Sequence, residues 1–522
     1  MATRPAARGQ RQRLHGPPGE DADEPPVPAE KKSADEIIDE LGFGYYQIQL
    51  LLICGGSRAA YGSAVQLLAM IQGCIMLEWG LDSVYESILT GSVFAGQIFG
   101  MLTLGPLADY YGRRPVILIG WALVVIFGLV SCLATNIWFI IVTETLVGVG
   151  LGAIQALTYD LFMEAVPSKF RSRVVYISLF TVLGELYVIA VAWGVLEEYG
   201  WRWLAFYSTL PIVVVSITGY FLMEESARWL ASQGRNLEAD KILTSVAATN
   251  GKMGYSTKLK EIAAVAEAEG LESFAELFSP KLWSTTLTLW SVQLLGYFTV
   301  YCIFIVLIDF FEDSSDCNYE YGWIFFATLI ESFGILGAFG LVGAVGRSVT
   351  QGIFWIGTSL LLIGWLTLQL DGQYWPSISF LFFTKVTVSG GAAALWLQSA
   401  ELYPVALRAT GHSAANIMGK LGSFSAVFWV DAYAATDANN FTLGTVIYLI
   451  AAFIAGLLAL QLRETKNVKL NESDDDSEAS ERLFEERDGS TPETTNPSTS
   501  LLSGSGGVTG NGGSEFSKGK NK

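Results

Sequence analysis

Charge is scarce in this sequence of 522 residues: Asp, Glu, Lys and Arg make up 16% of it, where a soluble globular domain carries about 25%. Positive charge is scarcer still. The 32 basic residues face 50 acidic ones, for a net charge of −18, which excludes the basic face that a nucleic-acid partner requires. Histidine occurs twice, as His15 and His412. That leaves too little for a catalytic constellation or a metal centre, so no enzyme activity, cofactor or metal is expected. No Gly-x-x-x-x-Gly-Lys-Ser/Thr loop occurs, which excludes ATP-driven pumping. The opening residues lack the basic stretch and short apolar core of a cleaved signal peptide. Five cysteines cannot form a disulfide scaffold in a chain this long. Four of them (Cys54, Cys74, Cys132, Cys302) lie in or beside apolar stretches, which favours free core thiols. A Cys74–Cys317 bridge is the alternative.

What is abundant is apolar sequence, at 51%. A helix needs about 20 predominantly apolar residues to cross a bilayer. Such runs occur at 47–72, 88–108, 115–134, 137–160, 174–196 and 203–223, then at 285–310, 322–345, 350–370, 376–400, 411–433 and 441–462. Helix is the spanning form that satisfies every backbone group without water, and stretches such as VILIGWALVVIFGLVSCLA lack the alternation of barrel strands. Residues 1–42 and 466–522 are polar and read as disordered cytoplasmic tails, the second acidic and then Gly/Ser-rich. Ser473, Ser477 and Ser480 sit among acids, either as modification sites or as part of a merely solvated tail. Residues 43–223 and 285–465 read as two six-helix halves, and 224–284 as a linker whose EADKILTSVAAT and TKLKEIAAVAEAEG segments form short amphipathic helices. Lys and Arg collect after runs two, four, eight, ten and twelve, so both termini are expected in the cytoplasm. Asn440 opens a sequon on the outer face, crowded against the last run.

The turn after run two reads GPLADYYGRR, from Gly105 to Arg114. Gly105 permits close helix approach, and Gly112 permits a turn conformation that other residues resist. Asp109 is placed to accept from a helix N-terminus or from Arg113 and Arg114. A Glu-x-x-Pro-x-x-x-Arg device recurs after runs four and ten, as Glu164, Pro167, Arg171 and as Glu401, Pro404, Arg408. MEESARWL at 223–230 contributes Glu225 and Arg228, and RETK at 463–466 contributes Glu464. Placed in a six-plus-six chain, these motifs resemble those of the major facilitator superfamily. GWRWL at 200–204 and LGFGYYQ at 41–47 are similar to its branch of sugar-porter-like, synaptic-vesicle-2-related and organic-ion transporters. The resemblance implies an all-α membrane protein with 12 transmembrane helices in two six-helix halves. It also implies a cytoplasmic gate built from Gly105, Asp109, Gly112, Arg113, Arg114, Glu164, Arg171, Glu225, Arg228, Glu401, Arg408 and Glu464.

Three departures from the family pattern matter. The second copy of the turn, GLVGAVGRS, has Gly343 in place of the Asp and Ser348 in place of the second Arg, so its latch is expected to be the weaker. Glu144 stands where relatives commonly carry Arg, and Tyr61 where they carry an acid. Arg58 lies one turn before Tyr61, so either Arg58 pairs with Glu144 or the two charges face a water-filled cavity separately. Glu185 in run five, Glu331 in run eight, Lys385 in run ten and Lys420 in run eleven are further ionisable candidates inside the spans. The carboxylates serve either substrate and proton handling or interhelical hydrogen bonds; the lysines either join the pathway or snorkel. Gln293, Tyr297 and Tyr301 share one face of run seven, which lines the cavity in this family, suiting either packing or a planar or cationic ligand. The glycine runs GVGLG and SGGAAA read as close helix packing. The expected function is secondary active transport of a small organic solute, an organic cation, anion or related metabolite, by alternating access, with a proton as a coupling partner. The bilayer and the solute are its partners, and a monomer in the plasma membrane or an intracellular vesicle is expected. The alternative is a non-transporting receptor or trafficking protein on the same fold.

Overall fold

The computed structural model describes residues 34–252, 274–313, 317–403, 407–434 and 438–465. The Ser473, Ser477 and Ser480 sites, the TKLKEIAAVAEAEG segment and both tails beyond these limits lie outside the described residues, as do the side chains of Arg171, Arg408 and Asn440. A short helix α1 (Ala34–Leu41) opens the described chain. Six long helices follow: α2 (Tyr45–Trp79), α3 (Ser83–Tyr111), α4 (Arg113–Ser131), α5 (Ile137–Ala165), α6 (Leu179–Tyr199) and α7 (Trp201–Leu222). Two short helices, α8 (Ala227–Ser232) and α9 (Asn236–Thr249), come next. The second set is α10 (Trp283–Phe310), α11 (Tyr321–Val345), α12 (Arg347–Leu370), α13 (Tyr374–Glu401), α14 (Arg408–Ala434) and α15 (Ala438–Ala459). Eleven spans among the described residues are long and apolar enough to cross a membrane. The remaining long helix, α14, carries His412, Asn416 and Lys420 among its serines and glycines, which lowers its mean hydropathy. It nonetheless packs against α10 and α3 inside the bundle.

Several elements depart from their sequence-based limits for identifiable reasons. Helix α2 is 35 residues long, well beyond the run expected at 47–72, because Cys74, Ile75 and Met76 continue its buried face. At Gly80, with φ 62°, the helix closes by an N–H to the Met76 carbonyl. The fifth span starts later than position 174. After α5, Ser168–Ser178 forms 3₁₀ turns: Pro167 interrupts the helix, and Asp39 draws off the Ser168 N–H and hydroxyl at 2.7 Å each. The N-terminal tail is not disordered to residue 42. Ile37, Ile38 and Leu41 give α1 one apolar face, buried against α8 and α9, and Asp35 pairs with Arg228 at 2.7 Å.

In the first half, α3 and α5 approach backbone to backbone. A Cβ at Gly148 would collide with the Val93 carbonyl, and one at Gly152 with that of Gln97. Without a hydrophobic drive between helices in lipid, such backbone proximity supplies the dispersion contact that holds them together. The two halves meet where α3 packs on α14 and α6 on α11. Among the described residues, most of the basic ones lie on the face where α2 begins, called the basic face below. On the opposite face Cys74 of α2 is disulfide-bonded to Cys317, in the loop between α10 and α11. This is the alternative left open beside free core thiols; among the described residues Cys54, Cys132 and Cys302 are free. The apolar surroundings of Cys74 hid its partner, which is 243 residues away in sequence.

This cross-link gives a direct test. With a protease site inserted between residues 252 and 274, the cleaved halves are expected to co-migrate on a denaturing gel without reductant and to separate with it. In Cys74→Ser they should separate in both lanes.

Candidate functional site

Two homologous latches stand on the basic face. In the first, Gly112 adopts φ 105°, a conformation closed to side chains, between α3 and α4. The Arg113 and Arg114 N–H groups at the start of α4 donate to the two oxygens of Glu225 at 2.9 and 3.1 Å. A carboxylate there answers the positive end of the helix dipole. The Arg113 guanidinium lies 3.3 Å from Asp109 and 3.5 Å from Glu164, and Arg114 donates to the Tyr220 carbonyl at 2.9 Å. The second latch repeats this. Gly346 has φ 94°, and Arg347 and Ser348 donate backbone N–H groups to Glu464 at 2.8 and 3.1 Å. Arg347 forms a two-point pair with Glu401 at 2.9 and 3.0 Å.

The second latch is therefore not weakened by its sequence departures. Thr465 adds a hydroxyl to Glu401 at 2.6 Å. Ser348, in place of the second Arg, bonds the Leu462 carbonyl at 2.9 Å and accepts from Gln398 at 2.7 Å. The carboxylates of the repeated Glu-x-x-Pro-x-x-x-Arg device thus meet the arginines of the turns, Arg113 and Arg347. Gly105 is not sterically required: a Cβ there would lie 3.7 Å from Ser413 Oγ, an ordinary contact. Arg228 holds α1, through Asp35, rather than the turn.

At mid-depth, α2 and α5 of the first half and α10, α13 and α14 of the second enclose a second cluster. Arg58 stacks on the Trp396 ring at 4.6 Å and lies 5.7 Å from the Tyr61 ring. Lys420 donates to the Tyr61 hydroxyl at 2.8 Å, with its ammonium 4.4 Å from the centre of that ring and 5.8 Å from Tyr297. The Tyr61 and Tyr301 hydroxyls share a hydrogen bond of 2.6 Å across the halves, and Trp396 donates to Tyr297. The shared face of Gln293, Tyr297 and Tyr301 on α10 turns into this cluster.

Arg58 does not pair with Glu144. Gln47 of α2 bonds the Ala165 carbonyl of α5, which fixes their relative height. At 1.5 Å per residue Glu144 then lies about 15 Å farther from the basic face than Arg58. Glu144 sits instead against Ser131 at the end of α4. Lys420 does not snorkel: only 2% of it is exposed. Nor does Lys385, which is buried and ion-paired to Glu331 at 3.2 Å. Glu185 of α6 interacts electrostatically with both Glu331 and Lys385 across the seam between halves.

Sequence reasoning missed Gln155, Tyr159, Trp396, Asn416 and the contact of His412 with Asp160 at 3.8 Å. A search confined to charged residues passes over the first four, whereas Asp160, at the end of run four, is itself charged. Spacing could have found two pairs: Gln155 and Tyr159, and Asn416 and Lys420, lie four apart and share a helix face with a polar neighbour.

The family model described as sugar (and other) transporter matches residues 40–476. The chain belongs to that family. It is a multi-pass membrane transporter of the major facilitator superfamily, seated in a lipid bilayer. It is 26% identical to the putative transporter svop-1 of Caenorhabditis elegans over 87% of this chain and 90% of that one. It is 28% identical to the synaptic vesicle 2-related protein of Xenopus laevis, covering 76% and 74%. It is also 26% identical to organic cation/carnitine transporter 7 of Arabidopsis thaliana, covering 75% and 86%. The proton:xylose symporter XylE bound to 6-bromo-6-deoxy-D-glucose has the same fold, with TM-score 0.66, 18% identity, and coverage of 82% and 98%.

The latch geometry predicts the cost of opening it by mutation. Glu401→Ala leaves the Arg347 guanidinium buried without its carboxylate and should destabilise the purified protein by about 3 kcal/mol in denaturant unfolding. Arg347→Leu combined with Glu401→Leu should recover most of that loss.

Proposed function

We propose that this chain is a secondary active transporter that moves a small organic solute by alternating access, with the basic face and both termini in the cytoplasm. Residues 43–223 and 285–465 rock as two bodies about the mid-depth cluster, linked by 224–284. The observation that carries this reading is the cluster itself. Its side chains come from both halves, stand at the middle of the helices, and include several buried polar atoms without protein partners: Gln155 Oε1, Tyr159 Oη and both amide atoms of Gln293. Buried polar groups are ordinarily satisfied, so their concentration at one site suits a ligand that completes them. Each latch on the basic face lies within one half, tying its helix ends to the segment that follows, so each holds one of the two moving bodies together.

Coupling is assigned to Glu185, Glu331 and Lys385. Glu331 pairs with Lys385 within the second half, and Glu185 interacts electrostatically with both across the seam, so protonating either carboxylate would change the contact between α6 and α11. A proton is therefore the proposed coupling ion, and a monomer the working unit in a plasma or vesicle membrane. The receptor reading draws its support from the Cys74–Cys317 bridge, which ties the halves on one face.

Uptake into proteoliposomes under an imposed pH gradient tests the proposal. Solute accumulation should be lost in Glu331→Gln while binding persists. A wild-type protein that binds solute but moves none under any imposed gradient would favour the receptor reading.

A further inference from the structure

Of the intramembrane charges, Lys385 faces Glu331 and Glu185, and His412 faces Asp160. Arg58 and Lys420 are different. Arg58 is 4% exposed and Lys420 2%, and among the described residues no carboxylate lies within ion-pair distance of either. The formal charge that acts on Lys420 is the like charge of Arg58. Both cations lie within 6 Å of the Tyr61 ring centre, so two positive charges occupy one small space. The Arg58 Nε and Nη1 atoms meet no protein acceptor. One turn from Lys420, neither amide atom of Asn416 has a partner, and it is 2% exposed. Tyrosine and tryptophan faces offset part of the cost of burying two cations, but ring quadrupoles do not neutralise charge. An anion does. Arginine offers a planar fork that a carboxylate matches, and the flanking Tyr61, Tyr297 and Trp396 rings offer planar stacking surfaces.

We infer that the transported solute is a planar organic anion whose carboxylate is held between Arg58 and Lys420 and whose ring lies among Tyr61, Tyr297 and Trp396. This rests on the transporter reading for the word transported, but the anion site itself does not. The inference separates this chain from a carrier of organic cations, since a cation brought to this cluster would meet two like charges in a medium of low dielectric. It also assigns Asn416 and Gln293 as the neutral groups that orient the anion.

The test is equilibrium binding to the detergent-purified full chain, read by tryptophan fluorescence and thermal shift, with benzoate, tetraethylammonium and xylose as probes. Benzoate should bind and stabilise the protein, and tetraethylammonium and xylose should not. Lys420→Met should weaken benzoate binding roughly 30-fold or more, the usual consequence of truncating one member of a buried charge contact. Lys420→Arg, which keeps the charge, should restore most of it, and Asn416→Ala gives a second, milder loss should the methionine variant fail to fold. A response to tetraethylammonium or xylose without one to benzoate, no benzoate response at all, or unchanged benzoate affinity in a folded Lys420→Met protein would each overturn the anion site. Benzoate binding without uptake in proteoliposomes would instead leave the site standing and defeat transport.

Discussion

A formal charge in the hydrocarbon layer costs about 3 kcal/mol or more unless something nearby answers it, and the way each charge is answered organises this molecule. On the basic face, Arg113 and Arg347 are answered by Glu164 and Glu401, while Glu225 and Glu464 are answered by the N-termini of α4 and α12. At the seam, Glu331 answers Lys385. At mid-depth, Arg58 and Lys420 have aromatic rings and no carboxylate. The first kind of site is complete in itself and serves as a latch. The last has no carboxylate among the described residues, and on that ground we propose it as the ligand site.

The same constraint acts on the backbone. Since lipid satisfies no peptide group, each span is helical, and association depends on how closely helices approach. Gly148 and Gly152 bring α5 against the α3 backbone. That close pairing, with a latch at one end, braces each half internally, whereas the Cys74–Cys317 bridge at the other end ties the two halves to each other. It also explains why polar side chains lie at the junction of the halves: the faces within each half are already used for packing.

Much of this was legible in the sequence. Among the described residues eleven of the apolar runs correspond to helices long and apolar enough to span, because hydropathy over a span-length window records the one constraint a bilayer imposes; the run at 411–433 corresponds to α14, whose polar residues lower its hydropathy. The latches were legible because each is built from a local motif, repeated. Pairings between distant segments were not. The Arg58 and Glu144 positions looked complementary on paper, but relative depth is set by how α2 and α5 are staggered, which the contact between Gln47 and Ala165 fixes. The second latch looked degraded at Gly343 and Ser348, yet Thr465, in the segment after α15, and Gln398, on α13, supply further contacts. The central site was half visible: its charges stood out among apolar neighbours, while Gln155, Asn416 and Trp396 did not.

The most direct measurement is side-specific labelling of a cysteine placed at Gln293, in a chain whose Cys54, Cys132 and Cys302 are replaced by serine. In sealed, oriented vesicles a membrane-impermeant thiol reagent should reach position 293 when applied from either side, with solute favouring one side over the other. Labelling from one side only, under every solute and pH condition, would contradict a central chamber that opens alternately to the two faces.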